Sequence, residues 1–479
     1  MRDFQGESLS HDPIHGYIPF TSNSGLPDGE AAEREIIDHP WLQRLRQIHQ
    51  LQTAWWVFPS AEHTRFQHVL GAMHLASRAA AGLYESLREV CPDAPSRGYV
   101  ESLLRLAALL HDVGHGPFGH FFDEHYLADY GLNHELMGGE IIRREFADLI
   151  RRIRRNPNTR LADDETLDPE QIVFLITRPK HADQPADADA DNHSPTSAQP
   201  NRWLRLLRSL FSGLYTVDNM DFVLRDAYMS GYSIKAFDLD RLMRYSAFTS
   251  RGLTIHERGL SALVRFISVR AELFRAIYFH RTVRAIDLGL QELFCDSKRR
   301  LFPGDPREHL HQYQRLTEWS LLMQVASWPE SEDPELRELG ARWQAFLGRR
   351  LRWTMACERT VFFAPGEAER SSVLSNAKAF EAAIRAELPS SLQDIPLRVD
   401  TARHVHRPGA QTAAAGQNFL FDPASGKIRS LDDRELYRRI AISFRVCRVY
   451  ALDHRHNEEL SAALDRLTDA GGTDDTTNM

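Results

Sequence analysis

The sequence predicts a mainly α fold with a small α+β part at its C-terminal end. Three observations predict it. Apolar residues recur at helical spacing from Trp41 to Leu87. The segment ESLLRLAALLHD, residues 101–112, carries Leu and Ala on more than one face, as a helix deep inside a helical body does. After about Arg350 the texture changes to short runs with strand patterning, RTVFFAP, IPLRVDTA, NFLFDPASGKI and FRVCRVYA.

Taken in order, the first helical pattern is broken around Val57-Phe58-Pro59, where proline and polar residues suit a turn, and it restarts near Thr64. Between Lys180 and Asn201 the chain holds no aliphatic side chain larger than alanine and is rich in Pro, Asp and Ser, which predicts an exposed flexible loop. A second helical stretch runs from Trp203 through about Gly231, and one long amphipathic helix is expected across Leu260 to Leu290. In the tail, ASGK offers a hairpin turn. The expected organisation is an N-terminal segment, 1–62, as a candidate regulatory or interface region, and a core, 63–290, interrupted by a flexible insertion, 180–201. A helical extension, 291–350, and a small α+β region with a flexible tail, 351–479, complete it. There is no internal repeat and no GxxxxGK[ST] phosphate loop.

With 58 Lys+Arg against 66 Asp+Glu the formal charge is -8, so a broadly basic nucleic-acid surface is not implied. The local clusters RREFADLIRRIRR and RWLRLLRS leave two readings, a basic patch for single strands or solvated helix faces. No apolar run approaches the roughly 18 residues of a membrane span, and the start lacks the basic flank and apolar core of a signal peptide. A cytoplasmic protein without membrane contact is the expectation. The four cysteines, Cys91, Cys295, Cys357 and Cys447, are far apart and form no CxxC pair, which disfavours a thiolate zinc site or a disulfide framework.

Histidine carries more information. Eight of the 22 lie between His63 and His134, beside carboxylates. Imidazole with carboxylate suits Mn, Fe, Co, Ni or Zn better than the all-oxygen shells preferred by Ca or Mg. Adjacent His111 and Asp112 cannot point the same way on a regular helix, but at a helix end followed by Val113-Gly114 the backbone can turn and offer both to one ion. A lone His-Asp pair also reads as a polar helix cap with surface histidines.

The surrounding motifs are HTRFQH at His63–His68, HDVGHGPFGHFFD at His111–Asp123, NHE at Asn133–Glu135 and VDNMDFVLRD at Val217–Asp226. With DPIHGYI near the start, this pattern resembles the HD-domain phosphohydrolases, and within them the dNTP triphosphohydrolase branch. The resemblance is close from about Ser10 to Asp148 and from Gly213 to Gly289. It implies an HD-domain helical fold and a metal held by His68, His111, Asp112 and Asp218. It further implies that His120 protonates the leaving 5'-oxygen with Asp123 orienting it, and that His115 and His134 form a companion pair positioning water or the α-phosphate. His74 and His125 fall outside the matched positions.

Arg270, Phe274, Tyr278 and Arg281, spaced by four, four and three, share one face of the expected long helix. Such a stripe suits either a phosphate tail beside a planar surface or ordinary packing with arginine stems at the rim. The resemblance places Arg270, Tyr278 and Arg281 at substrate-contacting positions and adds Arg65, Gln50, Leu51, Phe222, Asp226 and Phe274. Asn219 stands where the animal member of the branch has a phosphate-contacting lysine, Phe222 where it has a tyrosine, and Phe274 where it has a histidine.

The implied reaction is hydrolysis of a deoxynucleoside triphosphate to deoxynucleoside and inorganic triphosphate, with additional Mg accompanying the substrate phosphates. Rival readings are another HD phosphohydrolase, acting on a nucleoside monophosphate, another phosphorylated small molecule or a phosphodiester, and a non-catalytic nucleotide or nucleic-acid binder. The resemblance also implies self-association into dimers or tetramers. In DHPWLQRLR, the positions Asp38, Gln43 and Arg46 match residues that read an activating guanine nucleotide, with His11 where an asparagine is expected. Asp38 can instead cap the helix starting near Pro40, with Arg46 pairing to it or facing solvent.

Overall fold

In the computed structural model, which describes residues 6–178, 200–363, 376–405, 418–431 and 443–468, two long helices form the centre of the molecule. Helix α1 (Arg65–Val90) starts where Thr64 adopts extended backbone and the Gln67 side chain accepts from the Thr64 N–H at 2.7 Å. Helix α2 (Arg97–Leu110) is capped by Ser96, whose hydroxyl accepts from the Tyr99 N–H at 3.1 Å, and every residue from Gly98 to Leu110 is buried. Its Arg105 is paired inside the core with Glu33 at 2.6 and 2.8 Å. The mixed Leu and Ala faces of α2 therefore mark a central helix, as its pattern predicts.

Around this pair stand α3 (His120–His125), α4 (His134–Ile141), α5 (Pro169–Ile176) and α6 (Val217–Met229), the last started by Thr216 accepting from the Asn219 N–H at 3.1 Å. Helix α7 (Leu260–Leu273) runs into a π turn over Phe274–Tyr278, and α8 (Arg281–Leu301) follows after Phe279-His280. The expected single helix across Leu260 to Leu290 is thus two helices. His280 restarts the chain as an N-cap, its ring accepting from the Thr282 N–H at 3.3 Å. Helices α9 (Glu318–Ser327) and α10 (Pro334–Leu347) form the extension. The stretch before Thr64 is likewise not one helix but short turns, Pro40–Gln43, Arg44–Gln47 and Ala54–Trp56.

Strands β1 (Glu7–Asp12) and β2 (Gly16–Thr21) make an antiparallel hairpin that the helical pattern did not announce. Strands β3 (Ser246–Thr249) and β4 (Gly252–His256) were also unforeseen. In the C-terminal part the four expected runs are strands β5 (Thr354–Phe363), β6 (Leu397–Val405), β7 (Phe419–Asp422) with β8 (Lys427–Ser430), and β9 (Ser443–Ala451). ASGK turns β7 into β8 as expected. β9 is the centre of an antiparallel sheet ordered β5-β9-β6, whereas β7 pairs in parallel with β4, so strands from the tail and the core share one sheet. Residues 180–199 of the expected insertion and 469–479 of the expected tail lie outside the described residues. The molecule is mainly α with a small α+β region, and among the described residues no helix is long and apolar enough to cross a membrane.

Candidate metal centre

The start of α1 sets Arg65 and His68 three residues apart on one buried face. One turn further on, Gly71 lets α6 approach: a β-carbon there would lie 1.9 Å from Asp221 Oδ1 and 2.4 Å from Arg225 Nη2. This close approach brings Asp218, in the first turn of α6, to His68. At the end of α2 the chain turns, and His111 and Asp112 face the same point. Gly114 serves this turn differently from the sequence expectation. It is not among the glycines of positive φ; it is required because a β-carbon would fall 2.0 Å from the His134 carbonyl oxygen.

The donor atoms converge. His68 Nδ1 donates to Asp221 Oδ2 at 2.7 Å and His111 Nδ1 donates to the Ala108 carbonyl at 2.7 Å. A carbonyl can only accept, and Asp221 is held ionised, so these partners assign the tautomers and leave each Nε2 with a free lone pair. The two Nε2 atoms lie 3.3 Å apart. Asp218 Oδ1 is 3.1 Å from His68 Nε2 and 3.7 Å from His111 Nε2, while Asp112 Oδ1 is 3.3 Å from His111 Nε2. Donors about 2.0–2.2 Å from one ion stand about 3 Å apart, which is this spacing. His68, His111 and Asp112 lie within mutual reach and Asp218 closes on the two imidazoles; acceptors so placed repel unless a cation or added protons sit among them, so the residues fit a divalent metal. His68 is 1% exposed but Asp218 is 28% exposed, leaving an open side where a ligand can enter.

The local electrostatics agree. Burial opposes charge on His68, yet Asp218 and Asp221 outweigh it and lift the imidazole to about 10. His111 is raised in the same way, against burial, by Asp112 and Asp218. Burial would raise Asp112, but His111, Arg65 and His115 hold it well below the usual carboxylate range. Asp218 is held low, against burial, by His111 and His68. Carboxylates that stay ionised and favour a cation on the neighbouring imidazoles favour a metal cation for the same reason.

Beside this centre lies a second cluster built around Asp123. His134 Nδ1 is 2.5 Å from Asp123 Oδ2 and His120 Nδ1 is 3.3 Å from the same oxygen. His115 and His134 stack with ring centroids 3.8 Å apart, as companions. His115 joins the two clusters, its Nε2 3.4 Å from Asp112 Oδ1 and its Nδ1 3.8 Å from Asp123 Oδ1. It is fully buried with neither ring nitrogen hydrogen-bonded. Burial first, then Arg65 and His134, hold His115 well below the usual histidine range. Asp123 is driven far down, against burial, by His115 and His134. His120 sits at the rim, 71% exposed. Asp123 thus orients His134 more closely than it orients His120.

Among the expected substrate groups, Arg65 donates to Asp112 Oδ2 at 2.6 Å and keeps an unpartnered Nε. Arg270 lies between the rings of Phe222 and Phe274, 6.0 Å from each, feels the charge of Asp218, and also keeps an unpartnered Nε. Tyr278 donates to Asp226 Oδ2, and His63 Nε2 meets Asp226 Oδ1 at 2.7 Å. Both Asp226 oxygens are therefore engaged by the protein, and a ligand hydroxyl would have to share them. Gln50 has an unpartnered Oε1, whereas Leu51 is 2% exposed and belongs to the core. The π turn and the break at Phe279-His280 take Arg281 off the stripe and place it at the start of α8.

Asp38 does not take the capping role that the sequence offered it, nor does Arg46 pair with it. His39, not Asp38, caps the Pro40 helix, accepting from the Trp41 N–H at 3.4 Å. Asp38 pairs with Arg34 at 3.1 Å, and Arg46 donates to Gln43 at 2.8 Å while lying over Phe66. Asp38 does border a small cleft with Ser8, Ser22 and Arg34; His11 is exposed on β1 against Tyr17. The RREFADLIRRIRR stretch is ion-paired, Arg143 with Glu170, Arg144 with Glu140, Arg151 with Asp148 and Arg155 with Glu30, which favours the solvated-face reading.

Several supporting residues escaped sequence reasoning. Asp221, three residues after Asp218, shares its helix face, and that spacing could have flagged it. Glu318, Tyr313 and Arg44 carry no local signal. Glu318 Oε1 accepts from the Phe118 N–H at 3.0 Å, Tyr313 donates to the Gly114 carbonyl at 2.7 Å, and Arg44 donates to the His115 carbonyl at 2.7 Å. Together they hold the loop between the two clusters.

Residues 65–177 match the HD domain family. The chain is 27% identical over 359 residues to "Uncharacterized protein YwfO" of Bacillus subtilis (strain 168), covering 72% of this chain and 71% of that one. It is 28% identical over 348 residues to deoxynucleoside triphosphate triphosphohydrolase SAMHD1 of Gallus gallus, covering 69% of this chain and 53% of that one. The SAMHD1 homolog of Dictyostelium discoideum is 25% identical over 347 residues, covering 70% and 57% respectively. The chain therefore spans little more than half the length of these named hydrolases. A crystal structure of a hypothetical protein from Aquifex aeolicus shares the fold, with a TM-score of 0.64 at 22% identity over 96% of this chain and 100% of that one.

Proposed function

We propose that this chain, which carries an HD domain and resembles the dNTP triphosphohydrolase branch of that family, hydrolyses deoxynucleoside triphosphates to deoxynucleoside and inorganic triphosphate. The observation that supports this most is the junction of two clusters. His68, His111 and Asp112, with Asp218 against both imidazoles, stand beside the group of His115, His120, Asp123 and His134, and His115 reaches toward both. A divalent transition metal, Mn or Fe by preference within the set Mn, Fe, Co, Ni and Zn, supplies a Lewis acid that polarises phosphoryl oxygen and lowers the proton affinity of water.

The chain's own residues do the rest. Arg65 and Arg270 offer guanidinium N–H groups to the phosphate oxygens, from a site where burial strengthens each charge-assisted bond. His115, buried and with neither ring nitrogen hydrogen-bonded, positions the attacking water or an α-phosphate oxygen. As water adds to the α-phosphorus, the bond to the 5'-oxygen breaks, and His120 at the open rim gives that oxygen its proton. Asp123 holds His134 and His120 in place through its Oδ2. Tyr278, fixed by Asp226, and Gln50 face the sugar end. Additional Mg accompanies the triphosphate. The protein acts in the cytoplasm as a homo-oligomer, dimer or tetramer.

The test is product analysis. The full chain is incubated with each dNTP and with Mn, Fe or Mg, and the phosphate products are separated by ion exchange. Deoxynucleoside with tripolyphosphate supports the reading. Orthophosphate or pyrophosphate release, or cleavage of a monophosphate or phosphodiester instead, moves the chain to another HD phosphohydrolase activity, and binding without turnover makes it a nucleotide-binding protein.

A further inference from the structure

The DPIHG segment near the start takes no part in the chemistry above, yet it reaches the metal centre. Asp12 Oδ1 accepts from the N–H groups of Ile14 and His15, both at 2.9 Å, and so shapes the turn between β1 and β2. That turn aims His15 inward, where its side chain is 2% exposed. His15 Nε2 lies 2.7 Å from Asp221 Oδ1, and Asp221 Oδ2 accepts from His68 Nδ1 at 2.7 Å. Arg225 grips Asp221 through Nε and Nη2, both at 2.9 Å, and its Nη1 reaches Asp12 Oδ2 at 2.7 Å. One carboxylate of the hairpin thus both builds the turn and anchors the arginine, closing a buried ring of groups from Asp12 to His68.

We propose that His15, held by Asp12, is a positioning residue for the metal centre: it fixes the Asp221 carboxylate, and through it the ring orientation and donor strength of His68. The physical reason lies in Asp221. It is fully buried and satisfied by four N–H donors. Removing His15 leaves one oxygen short of a partner in a place without water, and the carboxylate turns toward what remains, taking the His68 ring with it. Outer partners of metal-ligating histidines are worth about 10–100-fold in metal affinity. The hairpin would then be a part of the metal site assembled from the far end of the chain.

The inference rests on the metal-centre reading and is tested separately from it. Metal-stripped full-length protein is titrated with Mn²⁺ by calorimetry, and its thermal unfolding is followed with and without saturating Mn²⁺. His15→Ala should bind Mn²⁺ about tenfold or more weakly and lose part of the metal-induced shift in melting temperature. His15→Gln, which keeps an N–H donor, should recover most of that affinity, and Leu9→Ser, an exposed change on the same hairpin, should bind as wild type does. Should His15→Ala fail to fold, Asp12→Asn carries the test, since it keeps the turn's acceptor oxygen and removes the charge that anchors Arg225. Affinity within twofold of wild type in the folded variant overturns the inference, as does a lower apo melting temperature with an undiminished metal-induced shift. If wild-type protein itself takes up no Mn²⁺ or other transition metal, the metal centre fails, and the inference with it.

Discussion

Two glycines in α1 should respond to the same substitution with opposite signs. Gly82 has nothing within 4 Å of where a β-carbon would stand, so Gly82→Ala realises the helix-propensity gain of about 0.8–1 kcal/mol without obstruction. Gly71 has the same propensity to gain, but its β-carbon would fall 1.9 Å from Asp221 Oδ1 and 2.4 Å from Arg225 Nη2. Those atoms cannot swing away, because Asp221 is held by four donors and Arg225 by two carboxylates. The helices must separate instead. Overpacking of this kind costs about 1–3 kcal/mol, which exceeds the propensity term over most of that range and leaves Gly71→Ala destabilised by up to about 2 kcal/mol. Unfolding entropy scales with length, so for this chain about 1 kcal/mol corresponds to about 1 °C, within reach of scanning calorimetry on matched samples. Because Gly71 lies one turn from His68, Gly71→Ala should also weaken metal binding while Gly82→Ala leaves it intact. If Gly71→Ala stabilises the protein as much as Gly82→Ala does, the close approach of α6 to α1 is wrong, and with it the placement of Asp218.

His120→Ala should keep its metal and its fold, since the side chain is mostly exposed, and lose about 10²–10⁴ in kcat; normal kcat with raised KM would make it a binding group. Acid stability has a definite sign: Asp112, Asp123, Asp218 and Asp221 are all held below their unfolded values, against burial, by neighbouring histidines and arginines. Each therefore contributes stability that is complete above about pH 4 and is lost as pH falls through the folded value. Near-UV circular dichroism should be steady down to about pH 4 and collapse below it, whereas a main transition between pH 5 and 7 would assign the linkage to histidines instead. Asp38→Ala removes an exposed pair and should change stability by less than about 1 kcal/mol; if it also abolishes stimulation of dATP or dTTP turnover by GTP or dGTP, the cleft beside it is regulatory.

What could be read from sequence follows the range of the interactions. Helices α1, α2 and α6 are written in local periodicity, and the strands of the tail in short apolar runs. The hairpin of β1 and β2 is not, because its residues are half-buried or exposed, with Ile18 and Thr21 alone buried, and the two strands show no shared alternation. The break after Tyr278 is invisible for a different reason: Phe279-His280 contains neither glycine nor proline, and the turn is stabilised by a cap from a histidine ring. At the site, spacing and resemblance pointed to His68, His111, Asp112 and Asp218, whose donor atoms do converge in space. Glu318 and Tyr313 reach the loop after Asp112 across about 200 residues of chain, and no local pattern announces such contacts. Asp38 was given a capping role by its position before proline, yet His39, one residue closer, takes it.

His68, His111, Asp112 and Asp218 are expected to hold one divalent transition metal. The most direct test is elemental analysis of the purified full chain and of His111→Ala and Asp218→Ala, each first shown by far-ultraviolet circular dichroism to be folded. Close to one equivalent of Mn, Fe, Co, Ni or Zn per wild-type chain is expected, with a small fraction of that in both variants, because each loss removes a donor and alters the charge of the site. Full metal occupancy in either folded variant, or a wild-type protein that stays metal-free after incubation with these ions, would contradict it.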